Sequence, residues 1–402
     1  MKNRVVITGL GAVTPIGIGK ENFFVGLRDG KNGIEKITQF DASEYVSQIA
    51  GEVKDFNPED FVNKKEIKKM DRYTHFSMAA AKLALEDSKL NLENVNLDRA
   101  GIFLGAGIGG MQTLHNQYEK LFAKGPSRIS PFFIPMMLAN MAAGQVAIDL
   151  KLHGPSACIV TACATGTDCI GSAFQTIQRG EADIMFAGGT EAAISPAGVA
   201  GFGAMKALCS DHNDDPAHAS RPFDKNRSGF VMGEGAGALV LEEYEHAKSR
   251  GAKIYAELVG YGSTADAFHM TAPDPAGQGA ARVMKEAIDD AGITPEQVDY
   301  INAHGTGTDD NDLHESIAIK KVFAEQIPPF SSTKSNTGHT TSAAGAVEAV
   351  ISILSILEGF IPPNLGFETM LPETGLVPQS ELKRTAIKHV MSNSFGFGGT
   401  NS

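Results

Sequence analysis

Residues 84–107 read ALEDSKLNLENVNLDRAGIFLGAG, and residues 287–307 read AIDDAGITPEQVDYINAHGTG. Each runs as a helix end, an acidic connection, a short apolar strand and a glycine-rich loop. An Ala-rich amphipathic stretch precedes each one, predicting helices over 76–87 and 279–290, and further upstream lies an opening strand, at 5–8 and at 256–260. The parallel continues downstream. After Thr161 comes a small-residue helix start, ACATGTDCIGSAFQTIQRG, followed by the strand DIMFAGG. After Thr337 comes GHTTSAAGAVEAVISILSILEG, followed after an insertion by AIKHVMSNSFGFGG. Four elements in the same order indicate an internal duplication of an α/β unit, with halves 1–250 and 251–402. Equivalent helices are expected to begin at Cys163 and His339. Segments 20–70 and 107–157 have no counterpart, and are expected to cap the site or form a subunit interface.

Composition agrees with a large folded core. The chain has 402 residues, 42% hydrophobic and 20% charged, which excludes collagen-like, disordered and small disulfide-stapled classes. Its formal charge of −12 argues against a general binder of nucleic acid or anionic membranes. Four irregularly spaced cysteines make neither a disulfide framework nor a paired zinc motif, so no metal site is expected and a reducing, cytoplasmic setting is. No secretory h-region or uninterrupted apolar run of membrane-spanning length is read.

Chemistry concentrates at three strand-to-helix junctions. Cys163, in VTACATG, has small neighbours and stands where a helix begins, a position whose free N–H groups and dipole favour a thiolate. Buried cysteines are usually structural, which is the reading given to Cys158, Cys169 and Cys209. His304 follows a strand in NAHGTGT, and His339 stands in STKSNTGHT. The other nine histidines, among them His75, His115 and His246, read as packed or solvated residues. Duplication brings these junctions to one cleft at the strand ends. A thiol hydrolase needs a single histidine base. The second histidine, with Lys334 five residues before it, suits a pocket that holds a carbonyl oxygen as negative charge grows on it. The loop GFGGTN (396–401) offers backbone N–H groups to an oxyanion, although an untethered loop there is expected to fray.

These motifs, with VVITGLG near the start and RPFDKNRSGFVMGEGAG in the middle, resemble the β-ketoacyl-acyl-carrier-protein synthases of the thiolase-like condensing-enzyme superfamily, most closely the synthase II type of bacterial fatty acid synthesis. The resemblance implies a five-layered αβαβα fold from two duplicated halves, a homodimer, and decarboxylative condensation of an acyl group with malonyl carrier protein. It implies no resident cofactor, because phosphopantetheine arrives on the acyl carrier protein. Carried over residue by residue, Cys163 resembles the nucleophile, His304 and His339 the malonyl-binding pair, and Lys334 the lysine supporting that pocket. Asp312 and Glu348 match its polar network, and Thr306 and Thr308 the phosphopantetheine-binding threonines. Phe397 resembles the gating phenylalanine whose N–H joins that of Cys163 as the oxyanion hole, with Phe395 beside it. Ile108, Phe133, Phe202 and Met205 match acyl-tunnel positions, Phe133 being offered to the partner subunit. Lys64, Lys65, Lys68, Lys69, Arg72, Lys124, Arg128 and Lys206 resemble a landing site for the acidic carrier, although charge runs of this kind often serve solubility alone. Thr340, Thr341 and Ser342 depart from the apolar and small residues usual after the second histidine. A polyketide ketosynthase or a noncatalytic chain-length subunit are the alternatives; the latter lacks the nucleophile, and a thiolase needs a second cysteine beyond Cys209.

Overall fold

The computed structural model describes residues 2–324 and 326–402. Its largest sheet runs in the order Gly17–Ile18, Val5–Thr14, Gly235–Glu243, Ile184–Glu191, Ala100–Gly105, Ser156–Ala157, and Ala256–Leu258 adds to the outer side of Val5–Ile7. Alternation decides the two faces of this sheet. On Gly235–Glu243, Ala236, Ala238 and Val240 face a core with Tyr73 and Phe76 of the helix Arg72–Ser88. Leu239 and Leu241 face the opposite way, against Phe174 and Ile177 of Thr165–Gln178 and Val350 and Ile351 of Ala344–Glu358.

Close approach dictates one residue here. A Cβ on Gly11 would stand 1.9 Å from the Ala80 carbonyl oxygen, so only glycine lets Arg72–Ser88 lie on the strand. That helix starts four residues earlier than predicted because the Asp71 side chain caps it, accepting from the Tyr73 N–H.

Three strands of the second half repeat the order of three in the first, although Ala256–Leu258, expected to open the second half, joins the first sheet. Tyr300–Asn302 lies between Phe330–Ser331 and Val390–Ser392, all parallel, as Ala100–Gly105 lies between Ser156–Ala157 and Ile184–Glu191. Gln278–Ala291 and Asp309–Phe323 cover its outer face around Ile301. The two buried helices Thr165–Gln178 and Ala344–Glu358 form the middle layer, giving the thiolase-like order αβαβα. Residues 341–358 are apolar and long enough to cross a membrane by composition, but 78% of that stretch is buried inside this middle layer.

Two expectations are corrected. Neither middle helix begins at Cys163 or His339. Each is preceded by a 3-10 turn, Ala162–Ala164 and Thr341–Ala343, so Ser342 rather than His339 is the counterpart of Cys163. Both turns carry a left-handed residue at the same place, Ala162 with φ 51° and Thr341 with φ 50°. The glycine loop is tethered: Phe395–Gly396 pairs with Thr400–Asn401, which pairs in turn with Thr264–Ala265, and Ser394 and Ser402 exchange both backbone hydrogen bonds.

Candidate active site

A cavity of about 430 Å³ opens where the two halves meet, and Cys163, His304, His339, Thr306, Thr308, Phe395 and Phe397 all line it. His339 Nε2 lies 3.2 Å from Cys163 Sγ, and the rings of His304 and His339 meet edge to face with centroids 5.4 Å apart. Donors behind the rings set both tautomers. The Thr341 N–H donates to His339 Nδ1 at 3.2 Å, and the Lys334 ammonium, which only donates, sits 3.4 Å from His304 Nδ1. Each imidazole therefore carries its proton on Nε2. Burial, reinforced by the Lys334 charge, holds both well below the ordinary histidine pKa, so both are neutral N–H donors.

The thiol behaves otherwise than its place in the sequence suggests. Burial pushes Cys163 up to about 11, although Lys334 and the Phe397 N–H favour its thiolate. A helix start was expected to lower this value, but the 3-10 turn sets Cys163 ahead of the helix and desolvation dominates. Gly396 brings the Phe397 N–H close: a Cβ there would stand 2.4 Å from the Thr161 carbonyl oxygen.

Lys334, 2% exposed, donates to the His304 carbonyl at 2.6 Å and pairs with Glu348. Burial raises Glu348 above the usual carboxylate range, and Lys334 opposes that shift. Asp312 accepts from the N–H groups of Phe223, Thr306 and Gly307, holding the threonine loop.

Sequence reasoning missed two carboxylates. Glu315 accepts from the N–H groups of His304 and Gly305, both at 2.8 Å, and burial pushes it up to about 7. Its signal is the spacing Asp312 to Glu315, which puts both acids on one helix face directed at the HGTG loop. Glu191 also lines the cavity, and burial pushes it up to about 7. A single acid closing the otherwise uncharged buried strand Ile184–Glu191 is its signal.

Other expected residues divide. Ile108 and Phe202 line the apolar end beside Phe230, whereas Met205 lies at the rim, 46% exposed. Phe133 does not line the cavity of its own chain; its ring packs on Tyr118 instead. Lys64, Lys65, Lys68, Lys124, Arg128 and Lys206 are exposed, and Lys206 stands at the cavity mouth. Lys64 and Lys69 pair with Glu59 and Glu66. Arg72 departs from the docking set: its guanidinium makes a two-point pair with the fully buried Glu234 and donates to the Val53 carbonyl, so it ties the fold together.

Comparison with known proteins bears on this arrangement. Residues 2–247 match the model of the beta-ketoacyl synthase N-terminal domain, and residues 255–368 match that of the C-terminal domain. The chain belongs to the beta-ketoacyl synthase family. Among its relatives in that family is a 3-oxoacyl-[acyl-carrier-protein] synthase 2 of Synechocystis, 52% identical over 100% of this chain and 97% of the relative. Another of the same name, from Staphylococcus aureus, is 50% identical over 99% of this chain and 97% of its own length. A solved type II polyketide ketosynthase in complex with its acyl-carrier protein superposes with a TM-score of 0.91. It is 35% identical, over 100% of this chain and 98% of that one.

Proposed function

We propose that the protein is a 3-oxoacyl-acyl-carrier-protein synthase II, extending an acyl chain by two carbons with loss of CO2. The observation that carries this is the meeting of one cysteine and two neutral Nε2–H histidines around a single cavity. Higher identity to the two 3-oxoacyl-[acyl-carrier-protein] synthases than to the polyketide ketosynthase favours fatty acid elongation.

In the first half-reaction Cys163 sulfur attacks the carrier thioester. The N–H groups of Cys163 and Phe397 stabilise the tetrahedral oxyanion, each donor contributing about 3–4 kcal/mol where such holes have been dissected. The bond to the carrier sulfur breaks, and the thiol proton ends on the departing carrier thiol. With its pKa raised by burial, Cys163 rests as a thiol, and the Phe397 N–H, the His339 N–H and the Lys334 charge, which favour the charged form, stabilise thiolate as it forms.

Malonyl carrier follows, its arm passing Thr306 and Thr308. Cleavage of the carboxylate carbon bond releases CO2 and leaves an enolate, whose oxygen accepts from His304 and His339. The enolate carbon bonds to the acyl carbon, the same oxyanion hole holds the new alkoxide, and collapse expels Cys163 thiolate, which takes a proton from solvent. Neutral donors suit this step, since an imidazolium would bind the ground-state carboxylate and oppose its loss. The chemistry calls on no resident cofactor or metal.

The surface and the cysteines support a partner and a setting. Lys65 and Lys68, exposed and without an ion pair among the described residues, together with Lys206 at the mouth, support docking of an acidic carrier. Exposed apolar side chains of the second insertion, Phe122 at 83% and Ile148 at 70% with Tyr118 and Ile134, support a homodimer to which each subunit offers Phe133. A cytoplasmic location accords with four free cysteines.

Intact-mass analysis after incubation with acyl carrier tests the reading. One acyl adduct is expected on the native protein and none on Cys163→Ala; an adduct retained by the alanine variant overturns the assignment of the nucleophile.

A further inference from the structure

Glu191 takes no part in the condensation described above, yet its carboxylate is among the most heavily bonded groups at the cavity. Oε2 accepts from the N–H groups of Gly107 and Ile108, each at 3.0 Å, and Oε1 from that of Gly109 at 3.3 Å. Three successive backbone donors of one loop thus converge on one side chain. Ile108, the residue this loop carries, packs with Phe202 and Phe230 at the apolar end of the cavity.

Ser342 completes the arrangement from the other half of the molecule. It occupies the place in the turn Thr341–Ala343 that Cys163 occupies in Ala162–Ala164, so the duplication puts a hydroxyl where the first half has its nucleophile. Its Oγ is buried, 2.7 Å from Glu191 Oε2 and 2.9 Å from the Thr190 carbonyl, with one proton to share between them. Gly107 is wedged against both residues: a Cβ there would lie 3.2 Å from Glu191 Oε2 and 3.2 Å from Ser342 Cβ.

We propose that Ser342 and Glu191 are positioning residues for acyl-length selection, buckling the loop 107–109 so that Ile108 limits how deeply an acyl chain enters. The pair acts through Ile108 and touches no reacting atom. This rests on the reading that Cys163 is acylated from a carrier and that the tail lies toward Ile108 and Phe202. Releasing the buckle lets Ile108 swing aside, and the consequence is selective: a long tail that must pass Ile108 gains, whereas a short one that stops before it does not.

Rates of Cys163 acylation by hexanoyl and palmitoyl carrier, followed by intact mass, measure this directly. Ser342→Ala is expected to raise the palmitoyl-to-hexanoyl ratio by about threefold to tenfold, the scale of one buried hydrogen bond. Glu191→Gln, which replaces an acceptor oxygen by a donor facing the loop N–H groups, is expected to move it the same way. In an Ile108→Ala background the effect of Ser342→Ala on the ratio is expected to vanish, which a general loosening of the structure would not produce. An unchanged ratio in both variants, a shift toward the short chain, or an undiminished effect without Ile108 overturns the proposal. Native protein that takes up neither acyl group overturns the underlying reading instead.

Discussion

The Nε2–H of His339 points at Cys163 Sγ from 3.2 Å because the Thr341 N–H occupies the other ring nitrogen. The imidazole is thereby a donor to sulfur and not the base that removes its proton. This distinguishes the site from a thiol hydrolase, where the histidine lone pair faces the thiol.

Alkylation should report that polarity. With Cys163 pushed up to about 11, its reaction with iodoacetamide is expected to accelerate roughly tenfold per pH unit from about pH 6 to 10, following the thiolate fraction. His339→Ala removes a donor to the thiolate and is expected to slow alkylation at fixed pH by about tenfold. A plateau below about pH 8 in the native protein contradicts the assignment.

Lys334 and Glu348 are a buried pair whose members depend on each other. Glu348→Ala strands an ammonium in the core and is expected to destabilise the protein by about 3–5 kcal/mol in urea unfolding. Replacing both, as Lys334→Met with Glu348→Leu, is expected to restore most of that stability while abolishing condensation, because His304 Nδ1 then lacks its donor. Recovery of condensation in the double variant contradicts the role given to Lys334.

Acid stability should depend on Glu242, remote from the cavity. Burial favours its neutral form, but hydrogen bonds from Arg250, His246 and Thr8 prevail and hold it down at about 2. Its folded pKa is depressed below the unfolded 4.5, so its contribution is present above about pH 4.5 and is lost as pH falls through about 2. That difference corresponds to about 3 kcal/mol. Glu242→Gln is expected to be destabilised by about that much at neutral pH, the gap to the native protein narrowing below about pH 4.5. A gap that stays constant down to pH 2 contradicts the linkage.

Carrier docking separates the basic residues by their partners. Charge reversal of Lys65 and Lys68 is expected to raise KM for carrier-bound substrate by about tenfold at low ionic strength and far less in high salt. Turnover of a small pantetheine thioester should not change. Arg72→Glu, by contrast, leaves Glu234 buried without its partner and is expected to lower the unfolding midpoint. Equal effects of the Lys65 and Lys68 reversals on both substrates contradict docking.

Read alone, the chain specified the duplicated α/β grammar, because strand and helix periodicities and glycine-ended strands are local properties that repeat wherever the unit repeats. It also marked Cys163, His304, His339 and Lys334, since each stands at a strand or helix junction in a distinctive small-residue context. The donor that sets His339, the Thr341 N–H, lies only two residues away, whereas tertiary structure decided the direction of the Cys163 shift and the tautomer of His304, which depend on desolvation and on Lys334, thirty residues from His304 in sequence. The same holds for Glu191 and Glu315, whose partners lie on other segments, and for Arg72, which belongs to a basic run by sequence but to Glu234 by contact. Local pattern encodes where a side chain starts, whereas its charge and its partner are set by what the rest of the fold packs around it.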